Sequence, residues 1–209
     1  MARPLKLYNY ARAPNPRRVR IFAAEKGIEL SLEEVDILAG QSRTPEFLAK
    51  NSSGAVPVLE LDDGSYLSES VAICRYMEGL RPEPNLLGRD LREQAEIERW
   101  NRRMELELFA PIVRAVHNTN PIFQRRFNFK QFPEYGEAQR AVVYQRLERM
   151  DHELDGHEFI ASDRFTIADI TALVAIDFGG RLAGIQIAPS LAHLTRWHET
   201  VSKRPSTKA

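Results

Sequence analysis

The sequence predicts an α/β domain of order β-α-β-α-β-β-α followed by an all-helical domain. Three observations carry that prediction. The first eighty residues switch repeatedly between a two-residue and a helical apolar period. The run Arg81-Pro82-Glu83-Pro84-Asn85 then stops both helix and strand. Every strong apolar stripe beyond it has helical spacing. The expected division is residues 1–80, a linker over 81–88, and a helical domain over 89–209.

In the first domain, Leu5-Lys6-Leu7-Tyr8 alternates as a strand, and Pro14-Asn15-Pro16 then breaks the chain. Val19, Ile21, Phe22 and Ala23 suit a helix closed by Gly27, with Lys26 in its last turn. Leu30 and Leu32 alternate again as a second strand. Thr44-Pro45 reads as an N-cap with proline at the first helical position, opening a short helix through Leu48. Residues 56–61 form the third strand, and Asp62-Asp63-Gly64 turns it into a short fourth one, Ser65-Tyr66-Leu67. Ser68 is placed to cap a third helix ending near Gly79. The result is a mixed four-stranded sheet with helices on its faces.

In the second domain, Ile97, Trp100, Met104 and Leu108 form one core stripe, on a long helix that Pro111 would kink. Ala141, Tyr144, Leu147, Met150 and Leu154 form another, and Leu191, Leu194, Trp197 and Val201 a third. The segment from Pro121 to Tyr135 reads as a loop whose Phe123, Phe127, Phe129 and Phe132 either plug the core or wall an apolar ligand pocket.

Composition narrows the function. The chain is 43% hydrophobic and 28% charged with a net charge of zero, which disfavours nucleic acid or a membrane surface as partner. Arg12, Arg17, Arg18 and Arg20 make a local basic patch, read as a solvated face compatible with a small anionic ligand. One cysteine, Cys74, allows no intrachain disulfide and is expected to be an inert core thiol. The five histidines lack metal-ligand spacing, so no metal is expected. Without a signal-peptide pattern at the start, or an apolar stretch long enough to span a bilayer, the expected location is cytoplasmic.

Three segments carry a resemblance. Gly54-Ala55-Val56-Pro57-Val58-Leu59 holds a proline opening a strand, where a cis bond is accessible. Leu67-Ser68-Glu69-Ser70-Val71-Ala72-Ile73 offers a hydroxyl at a helix N-terminus, suited to a carboxylate, beside a glutamate suited to an ammonium. Phe165-Thr166-Ile167-Ala168-Asp169-Ile170 is a capping box flanked by a hydrophobic staple. Singly, each has an ordinary structural explanation. Together with the proline linker and Trp197, they resemble the glutathione transferase superfamily over nearly the whole chain, in its bacterial theta- and nu-like branch.

The resemblance implies a thioredoxin-like N-terminal domain that binds glutathione as co-substrate, with Val56 and Pro57 on its cysteinyl part and Glu69 and Ser70 on its γ-glutamyl end. For the glycyl carboxylate it points to Gln41, or to Lys50 as the charged alternative. It assigns the capping box to folding, not to the site. Ala55 departs from the basic or amide residue that often precedes the valine-proline pair.

The family's first helix points its N-terminus at the glutathione sulfur. Ala13 stands where serine or threonine often does, so that hydroxyl is missing. Asn15 falls where nu-like members carry an asparagine beside the sulfur, and its amide can donate there. Asn15 followed by Pro16 also has the form of an N-cap with proline at N1. Tyr10, then Tyr8, are the fallback donors. With no cysteine near position 13, cysteine-based deglutathionylation is not expected. The implied activity is conjugation of glutathione to an electrophile, or glutathione-dependent disulfide or peroxide reduction. The alternative is a non-catalytic ligand- or protein-binding module on the same fold. Met104, Phe109 and His117 are the candidates for the electrophile pocket, with the aromatic segment, and a homodimer is expected.

Overall fold

The first strand, β1 (Leu5–Asn9), pairs in parallel with β2 (Leu30–Glu34) and antiparallel with β3 (Val58–Glu60), which pairs antiparallel with β4 (Tyr66–Ser68). The sheet order is therefore β2-β1-β3-β4. This computed structural model describes residues 4–209. The chain divides into one unit ending at Asn85, joined by Lys208–Ala209, and another over Leu86–Thr207.

Helix α1 (Pro14–Glu25) buries Val19, Ile21, Phe22 and Ala23 and packs on α3 (Ser70–Leu80), which buries Ile73, Cys74 and Met77. On β1, Leu7 and Tyr8 point to opposite faces and both are buried, so the sheet is covered on both sides. Tyr8 meets Phe47 of α2 (Pro45–Leu48) edge-on at 6.1 Å, in a cluster with Val35 and Val58. Thr44 caps α2 by accepting from Phe47 N at 3.4 Å, as its sequence indicates.

Two expectations need correction here. Ser68 ends β4 instead of capping the third helix, and Glu69 takes the cap position. The expected second strand is present as β2, at the edge of the sheet, where Leu32 is half exposed. Arg18 and Arg20 are buried rather than solvated, because α1 turns them inward, where Arg18 meets Ser70 and Arg20 meets Asn9. The proline run carries neither helix nor strand and is tied to the end of α1. The buried Lys26 ammonium pairs with Glu78 at 2.5 Å and donates to the carbonyls of Pro82 and Pro84, while Arg81 donates to the carbonyls of Lys26 and Gly27.

In the helical unit, α4 (Leu91–Arg103) runs through a π-helical turn (Met104–Phe109) into α5 (Ala110–Thr119). Ala110 N donates to Glu105 O, five residues back. The π turn ends two residues before Pro111, whose missing amide interrupts the ladder, so the expected kink takes this form. Buried Arg146, from α7 (Pro133–Glu153), reaches Glu107 of the turn at 3.1 Å and Glu153 at 2.8 Å. The inward stripe of α7 is Val143, Arg146, Leu147 and Met150, while Ala141 and Tyr144 face solvent. That corrects the expected phase, because the ion pairs make room for an arginine where periodicity counts only apolar residues.

Helix α8 (Ile167–Ala183) is buried nearly all round and forms the centre of this unit. Thr166 and Asp169 close its capping box, with Phe165 and Ile170 both buried. Asp169 also accepts from Ile160 N at 3.0 Å and from Trp197 Nε1 at 2.9 Å, tying in α9 (Ala192–Ser202). Burial pushes its carboxyl up, and those donors pull it back.

Candidate functional site

The loop into β3 is shaped by Gly54, at φ +62°. A Cβ there would meet Ser42 O at 2.8 Å, so no other residue fits this close approach without a shift. It delivers Val56-Pro57 with a cis peptide bond. Pro57 is buried, whereas Val56 N–H and C=O have no hydrogen-bond partner among the described residues. An unpaired backbone stretch beside a strand is a template for another extended chain.

Register sets Ser68 opposite Val58, which brings the start of α3 alongside that stretch. Glu69 sits at φ 67°, ψ 113°, a conformation that costs a non-glycine residue about 1–3 kcal/mol. Its side chain is exposed, while Ser70 is 6% exposed. Arg18 Nη1 donates to Ser70 Oγ at 2.7 Å, fastening α1 to the start of α3. Periodicity along α1 gives no hint of Arg18, since an arginine facing inward is invisible until its partner on a distant helix is known.

The turn from β1 into α1 is held by a ring of polar contacts. Glu34 accepts from Ala11 N at 2.8 Å and Asn9 Nδ2 at 2.6 Å, and Arg20 donates to Asn9 Oδ1 at 2.5 Å and Ala11 O at 3.1 Å. The helix cap is Ala13, with Pro14 at N1, so Asn15 lies at N2 and is not the cap. This corrects the expected capping role. Pro14 and Pro16 carry no amide hydrogen and Arg17 N bonds Ala13 O, which leaves Asn15 with the first turn's uncommitted backbone N–H among the described residues. Its side-chain amide has no hydrogen-bond partner there either.

Of the fallback donors, Tyr8 is spent. It is buried, its hydroxyl donates to Glu60 at 2.8 Å, and its pKa is pushed up to about 12 by burial and that bond. Tyr10 is half-buried in the turn, where its carbonyl accepts from Ala13 N. Gln41 accepts from Asp36 N at 2.7 Å through its side chain. Lys50 lies over the rings of Tyr8 and Tyr66 at 5.5 and 5.0 Å. Backbone pairing and the Arg18 bond thus link Val56-Pro57, Glu69-Ser70 and the first helix, while Gln41 and Lys50 rest in local contacts.

In the helical unit, Met104 is fully buried and Phe109 nearly so, both serving the core. His117 differs: its ring packs on Phe123 at 4.1 Å and on Phe129 at 5.8 Å, and burial pushes its pKa down. The expected loop is mostly helix. Asn120 caps α6 (Pro121–Phe127) by accepting from Ile122 N at 3.0 Å. Gln131 and Phe132 N then bond back to the end of α5. Phe127, Phe129 and Phe132 stay exposed. Among the described residues, no group of three or more acidic, histidine or cysteine side chains could hold a metal ion, and no helix is long and apolar enough to cross a membrane.

The chain is similar to known proteins over nearly its whole length. The glutathione S-transferase N-terminal domain family matches residues 13–80, and the corresponding C-terminal domain family matches residues 103–205. Glutathione S-transferase 2 of Saccharomyces cerevisiae is 34% identical over 100% of this chain and 90% of its own length. A glutathione S-transferase domain-containing protein of Marinobacter aquaeolei VT8 superposes with a TM-score of 0.91 at 36% identity, covering 97% of this chain and 99% of that one. Gtt2 of Saccharomyces cerevisiae superposes at 0.90 with 33% identity, covering 97% and 98%. On the valine-proline turn, the strained Glu69 ahead of Ser70 and these full-length matches, the chain belongs to the glutathione S-transferase superfamily.

Proposed function

We propose that this chain is a glutathione transferase that holds the tripeptide along Val56 and at the start of α3, and activates its thiol at the start of α1. The observation that carries the reading is the unpaired Val56 backbone beside Glu69 and Ser70. Val56 N–H and C=O offer one donor and one acceptor to the cysteinyl residue. Ser70 Oγ and the α3 amides receive the γ-glutamyl carboxylate, and Glu69 its ammonium. Gln41 or Lys50 receives the glycyl carboxylate after leaving its present contact.

Attack requires the thiolate. A cysteine-like thiol has a pKa of about 8.5, and lowering it by about two units takes roughly 2.7 kcal/mol. The partial positive end of α1 supplies up to about 2 kcal/mol, and a donor to sulfur the remainder. Asn15 provides that donor through its backbone N–H and side-chain amide, with Tyr10 as the alternative. The sulfur then bonds to an electrophilic carbon, whose leaving group departs with the displaced electron pair. With its single cysteine buried, the protein forms no mixed disulfide of its own, which favours conjugation over thiol exchange at a protein cysteine.

Calorimetry with glutathione and a conjugation assay with an aryl halide test the reading. Ser70→Ala and Glu69→Gln are each expected to weaken binding, by about 1.5–3 kcal/mol for the serine. Unchanged affinity in both variants rejects the assigned site.

A further inference from the structure

On sequence grounds Arg18 is only one arginine of a basic patch, and its contact sets the chemistry of Ser70. A guanidinium has five donors and no acceptor, so the Arg18–Ser70 contact of 2.7 Å runs one way, from nitrogen to the serine oxygen. The hydroxyl therefore cannot donate to Arg18, and its proton must point elsewhere. Among the described residues no acceptor takes that proton, although Ser70 is only 6% exposed. Buried polar hydrogens are seldom left this way, so the unused proton describes what fits there: an acceptor. A buried cation directly behind the hydroxyl makes that acceptor an anion, because the positive charge offsets the loss of water around it.

We propose that Arg18 is a positioning residue that locks Ser70 as a hydrogen-bond donor and supplies, through it, the counter-charge for the substrate's α-carboxylate. The inference rests on the glutathione reading above. No bond is made or broken by Arg18, and its effect is on recognition alone.

The test compares glutathione with its 4-aminobutanoyl analogue, which lacks only that carboxylate. Wild type should prefer glutathione by about ten- to a hundredfold in KM. Arg18→Met and Arg18→Gln should abolish most of that preference by raising KM for glutathione alone, with kcat at saturation nearly unchanged. Methionine removes the donor and charge. Glutamine also offers a carbonyl to which the hydroxyl can turn. Arg18→Lys, which keeps a cation without an acceptor, should restore part of the preference. Ser70→Ala should abolish it as well, and adding Arg18→Met to Ser70→Ala should cost little more.

A purely structural role predicts something else: KM rising equally for both ligands, or equal loss of kcat. Either result overturns the proposal, as does Ser70→Ala with the preference intact. Ser70→Ala does not change the sequence of α1, so an intact preference in it overturns the proposal even where the Arg18 variants fail to fold. Failure of wild type to bind glutathione in calorimetry rejects the functional reading itself. Binding with the preference intact in the variants rejects only the role of Arg18.

Discussion

Asp169→Ala is expected to remove much of the stability of the helical unit. Its carboxylate is fully buried and accepts four hydrogen bonds: Thr166 N at 2.9 Å, Thr166 Oγ1 at 3.1 Å, Ile160 N at 3.0 Å and Trp197 Nε1 at 2.9 Å. Truncation strands three rigid N–H donors, whereas the threonine hydroxyl can rotate away. Each stranded donor costs about 1–3 kcal/mol, and a water entering the new cavity recovers part of it. A net loss of about 3–5 kcal/mol follows, against a typical total of about 5–15. Asp169→Asn should fare only somewhat better. Its two terminal atoms face two pairs of donors, so one pair always meets an NH2 group. Trp197→Phe, which removes one donor and keeps a large ring, should cost about 1–2 kcal/mol. Urea unfolding followed by far-ultraviolet circular dichroism reads all three as shifts in midpoint at constant slope. A loss below about 1 kcal/mol for Asp169→Ala would refute the claim that these donors have no other partner.

Four further outcomes are expected. Asn15→Ala should raise the apparent pKa of bound glutathione, read by thiolate absorbance, yet change stability by less than about 0.5 kcal/mol, since Asn15 is not the cap. Asn15→Asp should keep the fold and lose activity, because a carboxylate at the helix start is tolerated but repels a thiolate, and an active aspartate variant shifts attention to Tyr10. Burial keeps His117 neutral in the folded chain at pH values where the unfolded chain takes a proton, so stability should fall as pH drops below about 6.5. His117→Phe should flatten that dependence in urea midpoints, and an unchanged slope contradicts the assignment. A closed two-fold homodimer is expected in sedimentation at micromolar concentration, and a monomer throughout that range removes it.

Most of the fold was legible because its signals are local. Alternation marked β1, helical spacing marked α1 and α9, and Thr44-Pro45 marked α2, each with its partner residues within a few positions. The Thr166–Asp169 box was legible for the same reason, but its extension to Trp197 was not. Several failures share one cause. Arg18, Arg20 and Arg146 are buried because a hydroxyl, carbonyls and carboxylates receive them. A charge pattern read along one helix sees only the charge. Hence the arginines of α1 looked solvated, and the phase of α7 was set by apolar residues alone. In the candidate site the motif residues were found by spacing, while the residue behind Ser70 was missed.

The proline starts show where local reading ends. Helices α1, α2, α6 and α7 all begin on a proline at N1: Pro14, Pro45, Pro121 and Pro133. Asn15-Pro16 and Asn120-Pro121 have the same form, yet only Asn120 is a cap. At the first pair a second proline stands two residues earlier, so chemistry along the chain permits two starts. Tertiary contacts choose between them. Glu34 and Arg20 grip both sides of the Ala11 peptide, and Ala13 N turns back onto Tyr10 O, so the chain reaches helical geometry at Pro14. Starting there carries Asn15 into the first turn with both its amides idle. Had Asn15 been the cap, its side chain would have been spent on the helix's own backbone. The grip on Ala11 therefore does more than shape a turn: it keeps a donor free at the place where the proposed chemistry needs one.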